Sequence, residues 1–192
     1  MKSILITVAI CMLSISTSAQ KEAGLKRERV FLGTGINFAF FNGFIIGLNP
    51  EVGYSVGRVL DVGLSTNFTY ITERYIDAPA TDRLFIAGGG PFVRIWPVPQ
   101  FFIGGQFEYN TISFSTKFNN EVLNRTRFNA PSMLVGVGYG NRFIGQSQFY
   151  TGIMVDVLGH ERSPYTDVAG RMQPVFRTAF TFYLKQPRAP RR

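Results

Sequence analysis

Six charged residues, Glu51, Glu73, Arg94, Glu108, Asp156 and Arg177, sit among small and polar residues at alternate positions of otherwise apolar stretches. Successive side chains of an extended segment point to opposite sides, so this spacing puts all six on one face of their strands. Carboxylates and guanidiniums that leave water together must pair or stay hydrated. Such a set can form a plug of salt bridges, a proton relay or a narrow conduction path, and the plug is the simplest of these. The single histidine, His160, follows Asp156 and precedes Glu161. It could act as the base of a lipid-modifying hydrolase, with Tyr109, Thr111 or Ser113 approaching it in space. A lone histidine with no nucleophile motif reads more simply as a loop residue. No metal-ligand spacing occurs, and Gly88 to Gly90 lack the following Lys, Ser or helix that phosphate binding requires. No catalytic, cofactor or metal site is expected.

The elements that position these charges are strands. From Val30 to Phe40 the even positions are Val, Leu, Thr, Ile, Phe and Phe, while the odd ones include Gly33, Gly35, Asn37 and Ala39. The same period of two recurs six more times. Leu48, Val52, Tyr54 and Val56 oppose Asn49, Glu51, Gly53 and Ser55; Leu60, Val62, Leu64, Phe68 and Tyr70 oppose Asp61, Gly63, Ser65, Asn67 and Glu73. Phe101, Ile103, Phe107 and Tyr109 alternate with Gly104, Gln106, Glu108 and Asn110. Met133, Val135, Val137 and Tyr139 alternate with Ser132, Gly136, Gly138 and Gly140. Phe149, Ile153, Val155 and Val157 oppose Gly152 and Asp156, and Phe176, Phe180, Phe182 and Leu184 oppose Arg177, Ala179 and Thr181.

The fourth strand, Arg83 to Trp96, breaks the rule, because Leu84 and Ile86 share parity with Phe92 and Arg94. A bulge at Gly88 to Pro91 would exchange the faces and is expected there. Short turns are expected at Gly57–Arg58, Pro97 to Pro99 and Asn141 to Ser147. Longer loops are expected at Phe41 to Gly47, Arg74 to Asp82, Ser113 to Phe128 and Gly159 to Met172.

At the N-terminus, Lys2 precedes an apolar run from Ile4 to Leu13 and small residues up to Ala19. This reads as a signal peptide cut between Ala19 and Gln20. A run of about ten residues is too short to span a bilayer as a helix. The only cysteine, Cys11, falls within that segment, so no disulfide or thiolate is expected in the mature chain. The net charge of +8 is concentrated in the tails, because residues 30–184 carry 11 basic and 10 acidic side chains. A nucleic-acid partner is therefore not expected.

A soluble barrel would also have one apolar face, so charge density chooses the medium. The polar faces carry about one charge per strand and many glycines, far below the 25 to 35% charged residues typical of a soluble surface. That suits a narrow lumen, and the apolar face suits lipid. Trp96, Tyr139, Phe143 and Phe149 would form one interfacial girdle, with Phe40, Phe44, Tyr70, Tyr109 and Phe114 forming the other.

Asn49-Pro50-Glu51-Val52-Gly53-Tyr54, followed by Leu60-Asp61-Val62-Gly63-Leu64 and later by Gly90-Pro91-Phe92-Val93-Arg94-Ile95-Trp96, resembles the outer membrane β-barrel domain family of small exported proteins. The resemblance spans nearly the whole mature chain and implies an outer-membrane barrel. Members commonly end at an aromatic residue read by the barrel assembly machinery, whereas here Leu184 ends the strand and Lys185 to Arg192 follow. The expectation is thus an all-β, eight-stranded antiparallel up-and-down transmembrane β-barrel at 30–184. A signal peptide (1–19) and a periplasmic extension (20–29) precede it, and a basic tail (185–192) follows. Its address is the bacterial outer membrane, and its role is structural or surface-interacting through the four loops, especially Ser113 to Phe128 and Gly159 to Met172. Outer-membrane lipid, the assembly machinery and an extracellular ligand or protein at the loops are the expected partners. The rival readings are a hydrolase using His160, a narrow channel and a soluble lipocalin-like binding barrel.

Overall fold

The computed structural model describes residues 26–40, 43–74, 80–118, 121–166 and 172–185. The expected cleavage site at Ala19 and Gln20, and Cys11 before it, lie outside the described residues. A short 3-10 turn at Arg27–Arg29 leads into eight strands: β1 (Val30–Phe40), β2 (Gly43–Val56), β3 (Leu60–Arg74), β4 (Ala80–Val98), β5 (Phe101–Phe118), β6 (Glu121–Gly140), β7 (Gln148–Asp156) and β8 (Val175–Tyr183). Each strand pairs antiparallel with the next. β1 also pairs with β8, from Phe31 opposite Tyr183 to Gly35 opposite Ala179, so the sheet closes into a barrel.

The register carries one parity around the whole ring. Gly53 faces Phe31 and Gly63, Asp61 faces Arg94, Glu108 faces Ser132, and Leu134 faces Asp156. The polar and glycine positions thereby line the inside, and Leu64, Ile103, Val137 and Phe176 stand outside. Glycines fit where an aromatic ring crosses the lumen. A Cβ at Gly138 would come within 2.3 Å of the Phe102 ring, and one at Gly53 within 2.3 Å of Phe31. Gly57 makes the tight β2–β3 turn at φ +67°, a backbone conformation that side chains disfavour.

β4 has no bulge at its glycines. Its pairing with β3 runs unbroken from Leu60–Ile95 to Arg74–Thr81, and the irregularity lies instead between Ile95 and Val98, beside the next turn. Leu84 and Ile86 therefore point inward, where Ile86 packs with Ile112 and Ala130, flanked by Ile71, Leu84 and Phe128. An apolar layer of the lumen accepts them, so no exchange of faces is needed. Gly88 gives room to its neighbour Asn110, whose Oδ1 would lie 2.2 Å from a Cβ there.

Two residues expected in the girdles face inward. Trp96 is 3% exposed, and Phe114 pairs with Leu84 on the inner face. Tyr139, Phe143, Phe149, Phe44 and Tyr109 are exposed outside, Tyr70 is half-buried, and the side chain of Phe40 lies outside the described residues.

Two of the expected loops, 41–47 and 113–128, are largely strand, and the loop expected at 74–82 is strand at both ends, with 75–79 outside the described residues. β2 begins at Gly43, β3 and β4 reach Arg74 and Ala80, and β5 and β6 extend to Phe118 and Glu121. The short turns fall at Gly57–Val59, Pro99–Gln100 and 141–147, with Pro97 still inside β4.

Candidate functional site

The inside of the ring is a polar column in tiers, with aromatic side chains packed around its lower half. At the short-turn end, Asp61 on β3 accepts four bonds: from Arg142 Nη2 at 2.7 Å and Nε at 3.1 Å, from Trp96 Nε1 at 2.8 Å and from Ser55 Oγ at 2.6 Å. Arg142 comes from the β6–β7 turn and also donates to the Arg58 carbonyl. The Tyr183 hydroxyl lies 2.8 Å from Ser55 Oγ and accepts from Gln148 at 3.0 Å. Four donors on one carboxylate supply the compensation that a buried charge requires.

One tier up, Arg94 forms a two-pronged pair with Glu51, its Nη1 donating at 3.1 Å and its Nη2 pairing with the other oxygen. The same Nη2 donates to the Tyr150 hydroxyl at 2.6 Å, which in turn donates to Glu51 at 2.9 Å. The guanidinium carbon sits 4.2 Å from the ring centres of both Phe92 and Tyr150. The flat cation is thus held by aromatic faces as well as by charge. Phe31, Phe92 and Tyr183 pack on one side of the lumen, and Trp96, Phe102, Tyr150 and Ala179 on the other.

The third tier centres on Glu108. It accepts from Arg177 Nη2 at 2.7 Å, Gln106 at 2.7 Å, Asn110 at 3.3 Å and the Tyr165 hydroxyl at 2.5 Å. Tyr165 belongs to the β7–β8 connection. Its hydroxyl also accepts from Asn67 at 2.9 Å and Arg177 at 3.0 Å, and Arg177 donates to Asn49. Burial holds the Tyr165 hydroxyl well above the usual phenol range; Glu108 raises it further and Arg177 opposes the shift. It stays protonated and so can donate to Glu108.

Among the described residues Asp156 has no cationic partner. It caps the connection instead, accepting from Met133 N, Leu158 N and, at 2.5 Å, Ser163 Oγ, which also lies 3.1 Å from Ser132 Oγ. The segment expected to be an exposed contact loop thus turns Ser163 and Tyr165 into the lumen.

Between the second and third tiers lies a cavity of about 20 Å³ lined by Asn49, Glu51, Arg94, Gln106, Tyr150 and Arg177, among others. That holds roughly one water molecule.

Of the six charges singled out from sequence, Glu51, Arg94, Glu108, Asp156 and Arg177 are buried inside the ring, and Glu73 is exposed at the end of β3. They form separate pairs and not one cluster: Glu51 with Arg94, Glu108 with Arg177. Sequence reasoning missed Arg142 as the partner of Asp61. It carries the even parity of Gly136, Gly138 and Gly140, which would have placed it inside. Tyr165 left no such signal.

His160 accepts at Nδ1 from Arg162 N at 3.2 Å, and among the described residues no hydroxyl is bonded to its ring. Tyr109, Thr111 and Ser113 have the outward parity of β5. Among the described residues no group of three or more His, Cys, Asp or Glu side chains could hold a metal ion. A scan against protein-family models finds no match to this chain, and a search of curated proteins finds none either.

Proposed function

We propose that this chain is a membrane-inserted barrel of the bacterial outer membrane, with a structural or surface-interaction role and a closed lumen. One observation carries the reading: burial is inverted. Glu108 and Asp156 are 0% exposed and Asp61 is 2%, while Leu64, Ile103 and Phe176 are 58%, 52% and 67% exposed. Soluble monomers rarely expose more than a few hundred Å² of contiguous apolar surface, whereas here it covers all eight strands. Along β5 the outward positions from Phe101 to Tyr109 are apolar or glycine, a height of about 21 Å at about 3.4 Å per residue and a tilt of roughly 40°. That is close to the apolar band of about 25 Å in outer-membrane barrels. The short turns then face the periplasm and the long hairpins face outward. Insertion would involve the barrel assembly machinery.

The tiered ion pairs and the 20 Å³ cavity speak against a channel and against an interior ligand site. The bonding of His160 speaks against the hydrolase reading. The test is to fractionate cells and compare gel mobility of the detergent-extracted protein before and after boiling. A membrane-bound, heat-modifiable band is expected; an unchanged band confined to the soluble fraction would overturn the proposal.

A further inference from the structure

Beyond the apolar band, the outer face of β3 to β6 carries a cluster with no part in the lumen. Leu84 and Ile86 point inward, so Arg83 and Phe85 point out, and the register builds three outward rows across the neighbouring strands. Nearest the band is Tyr70–Phe85–Ser113–Arg127, next Thr72–Arg83–Ser115–Arg125, and farthest Arg74–Thr81–Lys117–Val122. No carboxylate stands in these rows. A depression of about 300 Å³ opens here, lined among others by Arg83, Lys117, Arg125, Ser113, Ser115 and Tyr70.

Strands lie about 4.8 Å apart, so Arg83 and Arg125, two strands from each other, bring like charges within roughly 10 Å. Such charges repel unless an anion joins them. The Nε of Arg83 is enclosed and has no hydrogen-bond partner among the described residues. Two guanidiniums, an ammonium and two serine hydroxyls present many donors and no acidic competitor, which is the chemistry that recognises a phosphomonoester. On β4 Arg83 lies one outward position beyond Phe85, about 5 Å along the axis, and on β5 its partner Ser115 lies three outward positions beyond Tyr109, roughly 16 Å, so the depression stands above the apolar band, on the side of the headgroups.

We propose that this depression binds the phosphate of a lipid headgroup in the outer leaflet. The inference rests on the membrane reading above and gives the barrel a lipid partner of defined chemistry.

The test uses the barrel purified from membranes into detergent, stripped of lipid, and mixed with phosphatidic acid or phosphatidylcholine. Native mass spectrometry then counts retained lipids. The unaltered barrel should hold one phosphatidic acid at least tenfold more tightly than phosphatidylcholine. Arg83→Gln with Arg125→Gln should weaken it at least tenfold, and Arg58→Gln, in a turn at the other end, should leave it unchanged. Heat-modifiable mobility checks folding; should the double variant lose it, Lys117→Gln serves in its place. Equal retention of both lipids, or no effect of the substitutions, overturns the proposal. Displacement by inorganic phosphate at the same concentration as the lipid also overturns it, because the site would then serve the free ion. A barrel that enters membranes yet holds no lipid contradicts this inference alone, whereas one found only in the soluble fraction contradicts the membrane reading beneath it.

Discussion

The β5–β6 hairpin and the β7–β8 connection leave the same end of the barrel and take opposite courses. The first continues as paired strands to Phe118 and Glu121, and its outward side bears Lys117, Arg125 and Arg127. The second leaves the sheet after the nine-residue β7, and among its described residues makes only one bridge, Thr166 to Met172. The difference follows from backbone bonding. A paired hairpin satisfies its own amides and is free to stand in water. A segment without a ladder bonds its amides locally, Leu158 N to Asp156, Tyr165 N to Ser163 Oγ and Gln173 N to the Tyr165 carbonyl, and here its side chains dock in the lumen, Ser163 on Asp156 and Tyr165 on Glu108 and Arg177. At this end, then, β-pairing decides which connection presents a surface and which becomes a plug.

That contrast can be broken most severely at Glu108. Replacing it with Ala leaves Arg177 buried without its carboxylate and releases Tyr165, so the urea midpoint in vesicles should fall by the equivalent of about 3 to 5 kcal/mol. A loss below about 1 kcal/mol would mean that the third tier does not hold the connection. Tyr165→Phe removes only the hydroxyl and should cost about 1.5 to 3 kcal/mol, felt locally. Trypsin cleavage after Arg162 should accelerate while cleavage in the β5–β6 hairpin stays constant; equal rates at Arg162 in both proteins would contradict the docked position.

A pH titration sharpens the same point. The folded Tyr165 hydroxyl ionises only well above the unfolded value of about 10. Its contribution is therefore full below that value and is lost as pH rises through the folded one. A fluorophore at Glu161→Cys should report release of the connection only above about pH 10, and release near neutral pH would count against it. The smallest effect is expected on the other connection. Arg125→Gln should change stability by no more than about 0.5 kcal/mol in lipid-free detergent, since the residue is exposed and makes no ion pair among the described residues.

The ring was legible in the sequence because alternation is local: parity alone put Glu51, Glu108, Asp156 and Arg177 on one face. It failed where an inward position is apolar. Leu84, Ile86 and Trp96 were read as outward because the lumen was taken to be polar throughout, whereas its two ends also contain packed apolar layers. Parity counted straight through Gly88 to Gly90 would have sufficed. The pairing partners were less accessible, since Asp61 and Arg142 are 81 residues apart and Glu108 and Arg177 are 69 apart. Tyr165 was beyond reach, because an irregular segment carries no period from which to read its direction.

The central claim is that the apolar outside meets hydrocarbon while the cationic hairpin rises above it. Spin labels at Ile103→Cys, Val137→Cys and Lys117→Cys, in the barrel reconstituted in vesicles, test this through collision with oxygen and with a water-soluble nickel chelate. Labels at 103 and 137 should meet oxygen and be shielded from nickel, and the label at 117 should show the reverse. Free access of nickel at 103 and 137 would contradict the account.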